Sequence, residues 1–188
     1  MANTIEPVIA GAHTSQLVLV DLQTRLLQAM ADRNNLLRHC EILVKAARTL
    51  SVPLLATEQY PQGLGHTDPV LSEALPSDVT PVDKTCFSCC GADRFTTAMS
   101  KLNRKQVILV GIEAHVCVLQ TALDLVRQGK TVFVAADATD SRSANNKQLA
   151  LERMRQAGII ITSTESVLFE WLRDAKHEQF KSVAALIR

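Results

Sequence analysis

No run in this 188-residue chain approaches the roughly 18 consecutive apolar residues that a membrane-crossing helix needs, so no spanning segment is expected. The start, Met-Ala-Asn-Thr-Ile-Glu-Pro, has neither a basic opening nor an apolar core, which argues against a secretory leader or membrane anchor. There is no Lys/Arg-rich block and no interleaving of basic with aromatic residues. With a formal net charge of +1, this removes the electrostatic case for nucleic acid or an anionic membrane. Internal repeats and low-complexity linkers are also missing, which excludes solenoids and beads on a flexible string. The five cysteines are an odd number in a chain long enough to fold without covalent staples. They read as reduced thiols of a cytoplasmic compartment, and an organelle with similar redox poise is compatible. A small molecule is the partner this composition favours.

What is present suits a compact α/β protein. At 47% hydrophobic and 21% charged, the chain can bury one sizeable core, and residues 1–188 read as a single domain. Short apolar, β-branched runs at 16–21, 52–57, 79–83, 106–110, 131–135 and 159–162 alternate with helical patterns. This alternation predicts a doubly wound, three-layer α/β fold around a six-stranded, mainly parallel sheet. Over 34–50, Leu36, Leu37, Cys40, Leu43, Val44, Ala47 and Leu50 draw one stripe on a long helix, placing Cys40 in the core. Asn145 with Gln148 resembles a helix cap, with Leu149, Met154 and Ala157 following on one face and Gly158 as the stop. The segment Thr162-Ser-Thr-Glu165 caps a helix carrying Val167, Leu168, Trp171 and Leu172. A last helix shows Phe180, Val183, Ala184 and Ile187 on one side, and these two faces offer material for an interface between copies. Only 59–76 reads as a long irregular loop, and loops of that length are usually functional.

Three segments carry chemistry. In Leu17-Val-Leu-Val-Asp21 a carboxylate ends the first strand, where an open parallel sheet presents its ligand crevice. In Val82-Asp-Lys84-Thr-Cys-Phe-Ser88 a lysine follows a later strand. The stretch Val110-Gly-Ile-Glu-Ala-His-Val-Cys117-Val places a cysteine between a strand and an amphipathic helix. Unpaired N–H groups and the peptide dipoles at a helix start favour a thiolate, so Cys117 is expected to ionise below its ordinary value. Asp21, Lys84 and Cys117 would then converge as base, cation and nucleophile.

These segments resemble the isochorismatase-like cysteine hydrolases, the superfamily that includes nicotinamidases and N-carbamoylsarcosine amidohydrolases. The Asp after the first strand, the Lys before Phe87-Ser88 and the Val-Gly-x-x-x-x-x-Cys-Val loop occur in the family's order, and the match runs through almost the whole chain. The resemblance implies Asp21 as general base and acid, Lys84 as electrostatic partner and Cys117 as the nucleophile of a thioester acyl-enzyme. It implies an oxyanion hole from the backbone N–H groups of Glu113 and Cys117, with a cis Ile112-Glu113 bond. It also implies self-association as a dimer or larger.

The chain departs from the nicotinamidase branch after the second strand. There Thr57-Glu-Gln-Tyr-Pro-Gln-Gly-Leu-Gly-His66 has Tyr60 where that branch pairs a histidine with its carboxylate. Glu58 and His66 alone do not make a three-ligand zinc site, so neither metal nor other cofactor is expected. Glu58, Gln59, Tyr60, Phe87 and His115 are candidate substrate-binding residues. Each has a plainer alternative: ordering of the loop for the first three, core packing for an aromatic at Phe87's spacing, and capping of a helix for His115. Cys86, Cys89 and Cys90 have C-x-x-C spacing but lack a second pair, and read as packing thiols. The function expected is hydrolysis of a small amide or carbamoyl compound. The alternative is a non-catalytic interaction protein that keeps the fold.

Overall fold

The computed structural model describes residues 8–188; the leader expectation rests on residues 1–7, which lie outside them. Six strands, β1 (Ser15–Val20), β2 (Leu54–Gln59), β3 (Val82–Lys84), β4 (Gln106–Ile112), β5 (Thr131–Asp140) and β6 (Ile160–Thr162), form one sheet. Every pairing is parallel, in the order β3-β2-β1-β4-β5-β6. The sheet is thus all-parallel where a mainly parallel one was expected. Nine α-helices are present among the described residues: α1 (Thr24–Leu27), α2 (Arg33–Thr49), α3 (Pro61–Leu64), α4 (Pro69–Ala74), α5 (Asp93–Leu102), α6 (Leu119–Arg127), α7 (Ala144–Gln156), α8 (Thr164–Leu172) and α9 (Phe180–Ala184).

The pleat sorts the two cores. Leu17, Leu19, Ile108, Val110 and Phe133 face one side and pack with α2, α4 and α8. Val18, Val20, Val107, Leu109 and Val132 face the other and pack with α5, α6 and α7. Successive side chains of a strand point to opposite faces, so continuous apolar runs are what a sheet covered on both sides requires. After β1 the chain builds outward through β2 and β3, then returns to add β4 on β1's other side. The order reverses between β1 and β4, the place where open parallel sheets generally bind ligands, and Asp21 and Cys117 follow these two strands.

Several boundaries differ from the sequence reading. β3 begins at Val82, not residue 79, because Pro81 has no N–H for the ladder and Val79 is held in a turn by Pro76. β5 runs five residues further, to Asp140, across a register shift opposite Leu109 and Gly111. Asp137, within this stretch, accepts from both Thr164 N–H and Thr164 Oγ1 in the first turn of α8, whose cap is Ser163 through Ser166 N–H. The 59–76 segment is not irregular: it contains α3 and α4, each with a proline in its first turn, and Asp68 caps α4 through Val70 N–H. The cap of α7 is Ser143, not Asn145, which lies inside the first turn; Leu149 is exposed, and Ala150 and Met154 are the buried side chains. The apolar faces of α8 and α9 are largely used within the chain: Val167, Leu168, Trp171, Leu172 and Val183 all join the α2 side of the core. Among the described residues no helix is long and apolar enough to cross a membrane.

Candidate active site

Asp21 leaves β1 with φ of 53°, a left-handed conformation that costs a non-glycine residue on the order of 1–3 kcal/mol and persists only when its surroundings hold it. They do so on every side. The Asp21 N–H donates to the Thr57 carbonyl at 3.2 Å, and its own carbonyl accepts from Gln23 N–H at 2.7 Å. The carboxylate is fully buried: Oδ1 accepts from Thr57 Oγ1 and Oδ2 from Lys84 Nζ, each at 2.7 Å. Gly111, at φ of 117°, sits beside Val20 on β4, where a Cβ would overlap the Val20 carbonyl oxygen. Only glycine lets β4 come this close to the strand end that presents Asp21.

Lys84 ends β3, and its ammonium is as buried as the carboxylate it meets. It also donates to Gln59 Oε1 at 2.6 Å and to the carbonyls of Cys86 and Phe87 at 3.3 Å. Burial alone would lower its pKa; the charge of Asp21 and the Asp21 hydrogen bond outweigh burial, and the ammonium is held above its usual value. Lys84 is a fixed cation.

Cys117 lies in a π-helical turn, Ala114–Val118, that leads from β4 into α6, and it is 6% exposed. The expected low thiol pKa is corrected here. Burial pushes the Cys117 thiol up, the Asp21 charge adds to that, and Lys84 only partly opposes them. Desolvation disfavours a thiolate more strongly than the turn's dipoles favour one. Cys117 is therefore held as a thiol, with the Asp21 carboxylate beside it.

The remaining candidates fall into two groups. At the turn, the Ile112-Glu113 peptide bond is cis. The Glu113 carboxylate accepts from Arg142 N–H at 3.0 Å, with Arg142 Nε at 3.6 Å, and His115 Nδ1 meets Ser141 Oγ at 2.9 Å. The same His115 nitrogen lies 4.0 Å from Glu113 Oε2. On the opposite side, Glu58 Oε1 accepts from Thr67 N–H and Oγ1, while Oε2 meets His66 Nδ1 at 2.9 Å. Burial would raise the Glu58 pKa, but these partners, Thr67 foremost, bring it below the ordinary carboxylate value. Its bonds are those of the loop-ordering alternative. Gln59 is likewise engaged, accepting from Lys84 and donating to the Thr85 carbonyl. Tyr60 and Phe87 are 54% and 55% exposed, so Phe87 is not core.

A cavity of about 400 Å³ is lined by Tyr60, Asp83, Lys84, Cys86 and Asp93 among others; of the three central residues only Lys84 borders it. A larger one, about 660 Å³, lies around Pro53 and Leu102, and none of the three central residues lines it. Among the described residues no three His, Cys, Asp or Glu side chains cluster as metal ligands. The sequence reading missed Thr57, whose hydroxyl reaches Asp21; only its place one residue before Glu58 at the end of β2 hinted at it.

A sequence profile of the isochorismatase domain matches residues 15–166. The chain belongs to the isochorismatase family. The mouse isochorismatase domain-containing protein 2A is 41% identical over 94% of this chain and 84% of its own length. A MAR1 ribonuclease from Caenorhabditis elegans is 40% identical with a TM-score of 0.91, covering 96% of this chain and 92% of that one. The YcaC protein of Escherichia coli, described as an octameric hydrolase of unknown specificity, is 26% identical with a TM-score of 0.92, covering 98% and 91%. All five cysteines are free thiols, and burial pushes Cys89 up to about 12 and Cys90 up to about 11.

Proposed function

We propose that this isochorismatase-family hydrolase cleaves a small amide or carbamoyl compound through a thioester on Cys117. The observation that carries the reading is the meeting of Cys117 with the buried Asp21–Lys84 pair at the switch point of the sheet. Cys117 Sγ attacks the carbonyl carbon as its proton passes to Asp21. Lys84 keeps that carboxylate charged until the moment of transfer. The backbone N–H groups of Glu113 and Cys117 are assigned to the developing oxyanion. The C–N bond then breaks, Asp21 returns the proton to the leaving nitrogen, and ammonia or an amine departs. Water attacks the thioester while Asp21 takes its proton; the C–S bond breaks, the acid leaves and the thiol is restored.

Lys84 is paired with Asp21, Arg142 with Glu113 and His66 with Glu58, which leaves Asp83, Asp93 and Arg94 as the other charged side chains lining the cavity. The chain is proposed to act as an oligomer, as the E. coli relative does.

A second reading comes from the C. elegans relative, whose name is that of a ribonuclease. One experiment separates the two. Wild type and Cys117→Ala are each incubated with a panel of small amides, followed by ammonia release and intact mass, and with unstructured RNA. The amidase reading expects turnover of at least one amide, an acyl adduct on Cys117, and a loss of about a thousandfold or more in the variant. RNA cleavage that survives in Cys117→Ala, with no amide turned over, would overturn it.

A further inference from the structure

The geometry points to Thr57 as a positioning residue that holds the Asp21 carboxylate in its charged, proton-accepting form; this rests on the acid–base role proposed for Asp21. Thr57 is 1% exposed and reaches Asp21 twice. Its carbonyl accepts the Asp21 N–H at 3.2 Å, and its hydroxyl lies 2.7 Å from Oδ1. The direction of the second bond is fixed, because an ionised carboxylate only accepts. The one hydroxyl hydrogen of Thr57 is therefore committed to Asp21.

That commitment orients the next contact. Cys89 Sγ lies 3.7 Å from Thr57 Oγ1, so the thiol is the donor and the hydroxyl oxygen the acceptor. Burial keeps this thiol protonated, consistent with that direction. The result is a chain of donors running from Cys89 through Thr57 to Oδ1, while Lys84 holds Oδ2. Buried hydrogen bonds aligned in this way polarise one another. Cys89 is itself fixed, its N–H donating to Thr121 Oγ1 at 2.9 Å. Thr57 thus decides both where Oδ1 points and how readily the carboxylate accepts a proton. Removing its hydroxyl withdraws a donor from the charged form, and the reaction's acid limb should move to higher pH.

The test needs only a generic acylating probe, p-nitrophenyl acetate, with p-nitrophenolate release followed from pH 4.5 to 9 on wild type, Thr57→Val, Thr57→Ser, Thr57→Ala, Cys89→Ala and Cys117→Ala. Thr57→Val should move the acid limb upward by about one pH unit and lower kcat more than it changes KM. Thr57→Ser, which keeps the hydroxyl, should restore the wild-type limb. Thr57→Ala removes the hydroxyl without placing a new methyl against Cys89, and should reproduce the Thr57→Val profile. An unmoved limb in either hydroxyl-free variant overturns the assignment, as does a limb that Thr57→Ser fails to restore. So does an equal shift in Cys89→Ala, which would place the effect in packing. Wild-type release by Cys117→Ala would instead remove the thioester mechanism, a failure separate from that of Thr57.

Discussion

Replacing Lys84 by Met removes one half of a fully buried ion pair and leaves the other half in place. The Lys84 and Asp21 side chains have no exposed surface, and Nζ and Oδ2 are 2.7 Å apart. Water cannot replace the missing ammonium without opening the structure, so the Asp21 carboxylate loses its counter-charge. Gln59 Oε1 loses a donor as well. Breaking a buried pair from one side costs about 3–5 kcal/mol, a large part of the roughly 5–15 kcal/mol available to a natural protein. For a chain of this size that corresponds to a fall in Tm of about 10 °C. Urea unfolding at pH 7 measures the loss. The double variant Lys84→Met/Asp21→Asn should recover part of it, with a coupling above about 1 kcal/mol in the double-mutant cycle. The pH dependence carries a sign. Lys84 has its pKa raised in the folded state, so its contribution is complete below the ordinary value of 10.5 and fades only as pH rises through the folded value. The gap between wild type and variant should be flat across neutral pH and narrow under alkaline conditions. A single-variant loss under about 1 kcal/mol, or additive single effects, would refute the view that this pair is dry and coupled.

Two further perturbations test the site from other directions. After burial, the Asp21 charge is the largest influence raising the Cys117 pKa, with Lys84 opposing it. Asp21→Asn should therefore alkylate with iodoacetamide at lower pH than wild type, while proposed turnover falls at least about a hundredfold; slower alkylation in the variant would contradict the assigned electrostatics. Gly111→Ala forces a Cβ against the Val20 carbonyl at a φ of 117°, which should cost more than about 3 kcal/mol by urea unfolding. A wild-type midpoint would mean that β1 and β4 can separate without disturbing Asp21.

The sequence was most legible where its signals were local. Strand and helix periods, the Gly158 stop and the apolar stripe around Cys40 depend on neighbours within a few residues, and the structure shows each of them. The α7 cap and the 59–76 helices were misread. Several hydroxyl and amide side chains compete for a helix start, and a short helix opening on proline looks like a turn. Glu58 and Gln59 illustrate another limit. Their polarity and position fit pocket residues, but their hydrogen bonds go to Thr67, His66, Lys84 and Thr85, and only folding brings those partners within reach.

The sequence by itself determined that this is a doubly wound α/β chain, with a carboxylate, a lysine and a cysteine following strands, because periodicity and order are properties of the chain. The tertiary structure decided the protonation chemistry. Asp21, Thr57, the segment holding Lys84 and Cys89, and Cys117 lie far apart along the chain and come together in the buried interior. Inside it, removal of water raises the cysteine's pKa, and the proximity of Asp21 raises the lysine's. Charge–charge distance and exclusion of solvent set those directions, and neither quantity exists until the sheet has closed.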